Sequence, residues 1–553
     1  MSVPQPVSED GPLARGRAAL ASGRWEAART AFGDALRDSP SAAAWEGLSW
    51  AVWWLEDAGA CLDAREQAFR LYREAGDERG SARMALWIGD DHLEFHGASA
   101  VAEGWFGRAS RLLSSVSPAA EHGWLIVFEA HSLLSAGDAP SAMSRAAESR
   151  ELGRQCGAVD LEMFSLATEG LAMVDAGEVE RGLRCLDEAT AAALAGEFEN
   201  LAPAAWTCCH ILSACEQARD FDRGAQWCRK AEEFSTRMGA RFLTGVCRAY
   251  YASILIWRGD WAEAESELAR SIGDLSERRP FWRSEAVVRL ADLRRRQGQL
   301  AEAEELFARA AGNARAEPGL GELYLSRGEA AAACEVLGRC LRRLPAHSRL
   351  GRAWLLEALV RALVADGDQE SARAPAEELR TIAAAIESPA LRAAARYCDG
   401  LLAAATADHE AARRYLEEAV DLLEACQTPI ECACARLELA GTLLALGHDG
   451  PARREASTAL SCALEVGAVA ERDRARALLA AAGPEGARPA EPLTVRQLDV
   501  LRLVAEGCSD KEIAGRLVLS EHTVHRHLAN IYTRLGCPTR AAAVAQAARL
   551  GLL

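Results

Sequence analysis

The chain has 553 residues, half of them hydrophobic, with a net charge of −17 and seventeen cysteines. That length exceeds one ordinary core and calls for several domains or a repeat array, and the apolar content excludes a low-complexity disordered chain. No charge-free apolar run of about 18 residues occurs, which argues against a membrane span, and the odd, scattered cysteine count argues against a disulfide-stapled secreted scaffold.

The N-terminal stretch MSVPQPVSEDGPLARGRAAL is acidic and lacks a basic flank followed by an apolar core. It does not read as a secretory signal, so a reducing cytoplasm is the expected setting. The basic residues are nearly all arginine, with Lys230 and Lys511 the only lysines, a bias that suits a GC-rich bacterial genome.

Residues 10–480 are expected to form one repeated motif. A turn Gly is followed five residues later by a small residue, then by an apolar one after four and a small one after three. The string reads Gly23, Ala28, Phe32, Ala35 and returns as Gly59, Ala64, Ala68, Leu71 and as Gly97, Ala102, Phe106, Ala109. It comes back from Gly177, Gly259, Gly298, Gly328, Gly367 and Gly447, with weaker copies centred on Ala142, Gly224 and Ala412. The physical reading is a helical hairpin: Gly closes the first helix, and small residues let the second approach closely. Most copies lie 36 to 42 residues apart, giving about twelve hairpins. The pattern resembles the tetratricopeptide repeat, and Gly321 and Tyr324 sit where that family places its first-helix Gly and Tyr. The resemblance implies an all-α solenoid with a concave inner face that binds a partner or ligand.

Eight of the fourteen tryptophans precede residue 125, with Trp50, Trp53 and Trp54 close together on one helix. Large aromatics filling gaps between helices are the commoner reading; a surface for an effector, whether protein, peptide or small molecule, is the other. His92 and His96 are four apart on a helix, as a metal pair would be, but no third ligand is identifiable. Cys426, Cys432 and Cys434 lack C-x-x-C spacing, and Cys340 occupies a small-residue repeat position, which suits packing.

No Gly-Lys pair exists, so no phosphate-cradling loop is present, and neither H-E-x-x-H nor G-x-S-x-G occurs. No enzyme activity, cofactor or metal is expected.

A Pro/Gly stretch, AAGPEGARPAEP at 481–492, reads as a linker that ends the repeats. The segment from Glu491 carries eight basic against six acidic side chains, which leaves an excess of 19 acids in the preceding 490 residues. Such a body repels phosphate, so any nucleic-acid binding is expected in the tail alone.

The tail, 493–553, parses by its caps into four helices. Thr494 with Gln497 forms a capping box, and Gly507 follows the first helix. Ser509 with Glu512 forms a second box, opening a helix to about Leu517. Ser520 caps the third helix, which Gly536 ends, and Thr539 caps the fourth, running to about Leu550. The second and third form a helix-turn-helix. On the third helix Val524, Leu528, Ile531 and Leu535 face a core, while His522, His525, Arg526 and Ala529 form the opposite stripe. That stripe suits base edges in a major groove, with Ser509, Lys511, Thr523 and Asn530 positioned for phosphates. On spacing alone it could equally be a solvated face.

The tail closely resembles the LuxR-type (GerE-like) DNA-binding domain. The resemblance rests on Leu493, Thr494, Arg496, Val500, Leu501, Gly507, Ser509, Lys511, Glu512, Ile513 and Ala514. It continues through Ser520, Thr523, Val524, His527, Asn530, Leu535, Gly536 and Arg540. Departures are Gln497 for Glu, Asp510 for Asn, His525 for Lys and Arg534 for Lys; His525 puts the family's usual target sequence in doubt. The resemblance implies double-stranded DNA as partner. It also implies a homodimer through the fourth helix, with Ala541, Ala545 and Ala548 as close-approach positions. Repeats plus this tail resemble the LAL type of large LuxR regulator without its ATPase. The expected function is a transcription regulator whose repeats sense an effector, RNA polymerase being a further partner. The alternative is a repeat adaptor whose tail mainly dimerises or docks on transcription machinery.

Overall fold

The computed structural model describes residues 11–275, 279–482, 493–517, 519–535, 537, 539–549 and 552–553. Among them every regular element is an α-helix. Twenty-five helices run from Pro12–Ala21 to Val469–Ala481, and successive pairs make twelve antiparallel hairpins, the last helix covering the end of the twelfth. No helix among the described residues is long and apolar enough to cross a membrane. The expected linker lies, from 483 onward, outside the described residues.

Each hairpin turns through one residue in the left-handed region. In nine hairpins it is Gly, including Gly23, Gly177 and Gly367; in the others it is Glu56, Arg219 and Ala407. These three substitutions explain why two copies of the motif read weakly and why one was misplaced. Gly59, expected to be a turn, instead lies in the first turn of the helix Ala58–Glu74, and Glu56 with φ 59° makes the reversal. An aspartate next to the turn then caps the second helix. Asp138, Asp368 and Asp408 accept from the backbone N–H of Ser141, Ser371 and Ala411 at 3.0–3.2 Å, worth about 1 kcal/mol each.

The marked small and apolar positions are the core. Ala28, Phe32, Ala303, Phe307, Ala333 and Leu337 are at most 1% exposed. Gly321 is required by packing, because a Cβ there would stand 2.7 Å from the Leu337 side chain.

The chain divides into two compact units, Met1–Leu391 and Arg392–Leu553. The division falls inside the repeats, so the second unit holds the last hairpins together with the tail.

Within the first unit early hairpins meet hairpins far along the chain, two of them five further along. The helix Glu78–His96 packs on Pro280–Arg296, and Val159–Ala176 packs on Arg349–Asp366. Single bonds also cross between distant hairpins: Trp25 Nε1 donates to the Gly239 carbonyl at 3.1 Å and Trp354 Nε1 to that of Gln217 at 3.0 Å. Arg279, fully buried, ion-pairs with Glu94, donates to the Trp53 carbonyl at 3.0 Å and lies over the Trp53 ring at 4.1 Å. Tryptophan and arginine side chains thus occupy part of the interior of this unit.

His131 and His210 meet in this interior with Nε2 atoms 3.1 Å apart. His131 Nδ1–H donates to the Val127 carbonyl at 2.9 Å, so its Nε2 is the acceptor and His210 Nε2–H the donor. Burial holds His131 down at about 4 and pushes His210 well below its ordinary value, with His131 adding to the latter.

In the second unit, Val469–Ala481 packs on the hairpin 429–466. The tail has its own core of Val500, Leu501, Ile513, Val524, Leu528, Ile531, Ala543 and Ala547.

Candidate nucleic-acid interface and the tryptophan-lined pocket

The tail helices are Val495–Ala505, Asp510–Leu517, Glu521–Leu535 and Arg540–Arg549. Both capping boxes form. Thr494 Oγ1 accepts from Gln497 N at 3.2 Å while Gln497 Oε1 accepts from Thr494 N at 3.1 Å. Glu512 accepts from the Ser509 amide at 2.7 Å. Ser520 Oγ accepts from Thr523 N at 3.0 Å, and Thr539 Oγ1 from Ala542 N at 3.2 Å. Gly507 takes φ 85°, ending the first helix as the sequence requires. The fourth helix is described to Arg549; Gly536 and Leu550 lie outside the described residues.

Three arginines fasten the bundle. Arg496 donates to the Leu517 carbonyl and Arg534 to Gln497 Oε1 at 2.7 Å. Arg540 reaches both Asp510 and the Cys508 carbonyl, tying the fourth helix to the start of the second. Sequence matching placed Arg496 and Arg540 in the pattern but gave them no task; their task is to satisfy carbonyls at helix ends.

Val524, Leu528 and Ile531 are at most 3% exposed, as a core stripe requires, and Leu535 is partly buried against them. Opposite, His525 and Ala529 are exposed, and Asn530 is half-buried. The side chain of His522 lies outside the described ones. His527 is 9% exposed, and burial, with Arg526, Arg496 and Arg413 nearby, holds it down at about 4. It is therefore a neutral imidazole near pH 7. Ser509 and Lys511 are exposed at the start of the second helix, where the helix N-terminus favours anions. Ala545 and Ala548 are exposed on the fourth helix, and the side chain of Ala541 lies outside the described ones.

Two of the expected DNA-contacting side chains are held by a repeat helix. Arg526 Nη1 stands 2.7 Å from Asp421 Oδ1, and the Thr523 hydroxyl donates to Asp421 Oδ2 at 2.8 Å. Arg526 also reaches the Glu417 carbonyl at 3.4 Å. Both acids belong to the repeat helix His409–Ala425 of the same unit. With the Thr523 proton on Asp421, Ser520 Oγ must donate to Thr523 Oγ1 across their 2.7 Å contact.

The family model for "Bacterial regulatory proteins, luxR family" matches residues 491–547. The tail is a LuxR-type helix-turn-helix domain. Rv0890c of Mycobacterium tuberculosis is 44% identical over 88 residues, 15% of this chain and 10% of that protein. The HTH-type transcriptional regulator AlkS of Alcanivorax borkumensis is 29% identical over 171 residues, 31% of this chain and 19% of that protein. The chain thus spans a tenth to a fifth of the length of these relatives. Among solved structures, a chain of the APC/C hetero-tetramer Cut9-Hcn1 aligns over 87% of this chain and 97% of its own. Its TM-score is 0.39 and its identity 14%.

The tryptophans divide. Trp53 is fully buried under Arg279 and is core. Trp50 and Trp54 line a pocket in the first unit together with Trp25, Trp87 and Trp124. Only the excess of early tryptophans pointed there; the rest of the wall comes from residues 157–161 and 197–201, too far along the chain to be grouped by sequence. His92 and His96 lie side by side, ring centres 5.9 Å apart, and no group of three metal-ligating side chains occurs among the described residues.

Proposed function

We propose that the protein is a sequence-specific DNA-binding transcription regulator whose tail reads the major groove and whose repeats take the input. The observation that carries this reading is the LuxR-type domain at 491–547, with His525, Arg526 and Ala529 on the face of the third helix opposite its core. Lys511 and Ser509 at the neighbouring helix start supply phosphate contacts. The exposed Ala545 and Ala548 serve a homodimer on a two-fold related site, and RNA polymerase is the downstream partner.

Regulation lies in what holds the third helix. Asp421 presents two carboxylate oxygens to Arg526 and Thr523, as a DNA phosphate would, so DNA and the helix His409–Ala425 compete for the same side chains. In this reading an effector on the repeats shifts the equilibrium between a held and a free tail by preferring one of them.

The test is to incubate full-length protein with fragmented genomic DNA and sequence what it retains. A recurrent, two-fold related motif is expected, lost in Arg526→Ala. Retention without any common motif overturns the regulator reading in favour of an adaptor.

A further inference from the structure

The interior of the first unit holds a cavity of about 450 Å³ walled by the indoles of Trp25, Trp50, Trp54, Trp87 and Trp124. That volume suits a small organic molecule. Trp25 and Trp54 stack with centroids 4.7 Å apart, and Trp87 meets both Trp50 and Trp124 at 5.1 Å, so the wall holds two aromatic groups, which the buried Trp53 joins from behind.

The charges around it are mostly acidic. Glu46, Asp160, Glu197 and Glu199 line the cavity against a single base, Arg83. Arg83 is already answered by Glu46 at 2.7 Å and by Glu121 at 3.1 Å. Asp160 accepts from the backbone N–H of Glu199 at 2.7 Å and of Asn200 at 2.8 Å, which fixes the loop that carries the other two acids. Glu197 and Glu199 are exposed, and neither enters an ion pair among the described residues. Val159, 41% exposed, adds an apolar edge.

Indole faces attract cations through the negative face of the ring, most strongly where the pair is desolvated. The protein uses this property at the same wall: the Arg65 guanidinium lies 4.3 Å from the centre of Trp50 and 5.7 Å from that of Trp87. A carboxylate ligand would face a net excess of acids, and a neutral one would gain nothing from Glu197 and Glu199.

We propose that this cavity is the receptor site for a small organic cation, an ammonium or guanidinium group carried on an apolar body. The body lies against the indoles and Val159, and the charge points to Glu197 and Glu199. The proposal rests on the repeats being the input domain only for its consequence at DNA, and the test separates the two.

Full-length protein is titrated calorimetrically with phenethylammonium, benzylguanidinium, 2-phenylethanol and 3-phenylpropionate, and the tryptophan fluorescence is followed in parallel. At least one cation is expected to bind ten times more tightly than the alcohol, and the carboxylate more weakly than either. In the exposed double variant Glu197→Gln/Glu199→Gln, melting unchanged, that preference is expected to fall below threefold. Trp54→Ala is expected to weaken all binding. Equal binding of the alcohol, preference for the carboxylate, or no binding of any probe at millimolar concentration overturns the cation site. The bound cation is then added to a duplex-binding assay. Binding without any change in DNA affinity leaves the site standing and overturns the input-domain reading instead.

Discussion

The guanidinium of Arg526 stands 2.7 Å from the carboxylate of Asp421, with the two side chains only 16% and 13% exposed. A long donor on the surface of a DNA-binding helix is thus folded into a repeat helix, in a pair too sheltered to be dismissed as a screened surface bridge. For Arg526 to reach a base or phosphate this pair must open. Asp421→Asn removes the charge while keeping the shape, so the full chain is expected to bind duplex about fivefold more tightly, equivalent to about 1 kcal/mol. In an Arg526→Ala background the same change is expected to give no gain, because the partner is gone. Fluorescence anisotropy on the four proteins of this cycle decides it. An Asp421→Asn protein that binds no better shows that the contact does not compete with DNA.

Much of this architecture was legible, and the exceptions have physical causes. The hairpins are legible because each turn needs a left-handed residue, and nine of twelve use Gly. The motif strayed to Gly59 because Glu56 carries the strained turn there. The tail's four caps are legible because Ser, Thr and Glu at fixed offsets satisfy orphan amides locally. What depends on distant pairing is not. The excess of 19 acids before Glu491 is legible as charge alone, yet nothing in the pattern says that Asp421 would hold the tail's own arginine. Likewise Trp50 and Trp54 are close in sequence to Trp53 but line a pocket with residues 157–161 and 197–201, while Trp53 packs on Trp206 and Phe242.

The strained turns predict stability. Ala407 holds φ 61° with no glycine to relieve it, a conformation costing an L-residue about 1–2 kcal/mol. Glycine removes that strain but gives the unfolded chain back roughly 0.5–1 kcal/mol of freedom. Ala407→Gly is therefore expected to stabilise by about 0.5–1 kcal/mol. Gly367→Ala, at the equivalent turn with φ 81° and open space around the Cβ, is expected to destabilise by backbone strain alone. Urea midpoints of the two variants are expected to move in opposite directions.

The buried imidazoles predict a pH dependence. His131 stays neutral down to about 4 in the folded state, while an unfolded histidine takes up a proton near 6.5. Between those values the unfolded chain binds more protons, so stability is full above about 6.5 and falls as the pH drops toward 4. The slope is roughly 1.4 kcal/mol per pH unit for each such histidine. His210 adds to it, since a second proton cannot enter a pair whose nitrogens are 3.1 Å apart without repulsion. Urea midpoints measured from pH 7.5 to 4.5 are expected to decline, and to decline less steeply in His131→Leu/His210→Leu. An unchanged slope in that variant assigns the acid loss elsewhere.

The division between base reading and phosphate anchoring is best measured with Asp421→Asn as the parent, so that loss of the intramolecular pair does not confound loss of a DNA contact. Arg526 projects from the early turns of the third helix, away from Val524, Leu528 and Ile531, and its planar fork suits a guanine edge. Lys511 is exposed on the second tail helix and offers a point charge without such a fork. On the motif recovered from genomic DNA, Arg526→Ala is expected to cost about 1–3 kcal/mol and to relax discrimination at one base position. Lys511→Ala is expected to weaken motif and scrambled duplexes equally and to flatten the salt dependence by about one phosphate. His525 is exposed, its Nδ1 4.0 Å from Asp510, and its alanine variant is to be assigned by whichever of these two patterns it follows. The readout is affinity against salt concentration on both duplexes. Equal losses for Arg526→Ala on motif and scrambled DNA, with a flatter salt slope, make Arg526 a phosphate contact and move base reading to His525 and Ala529.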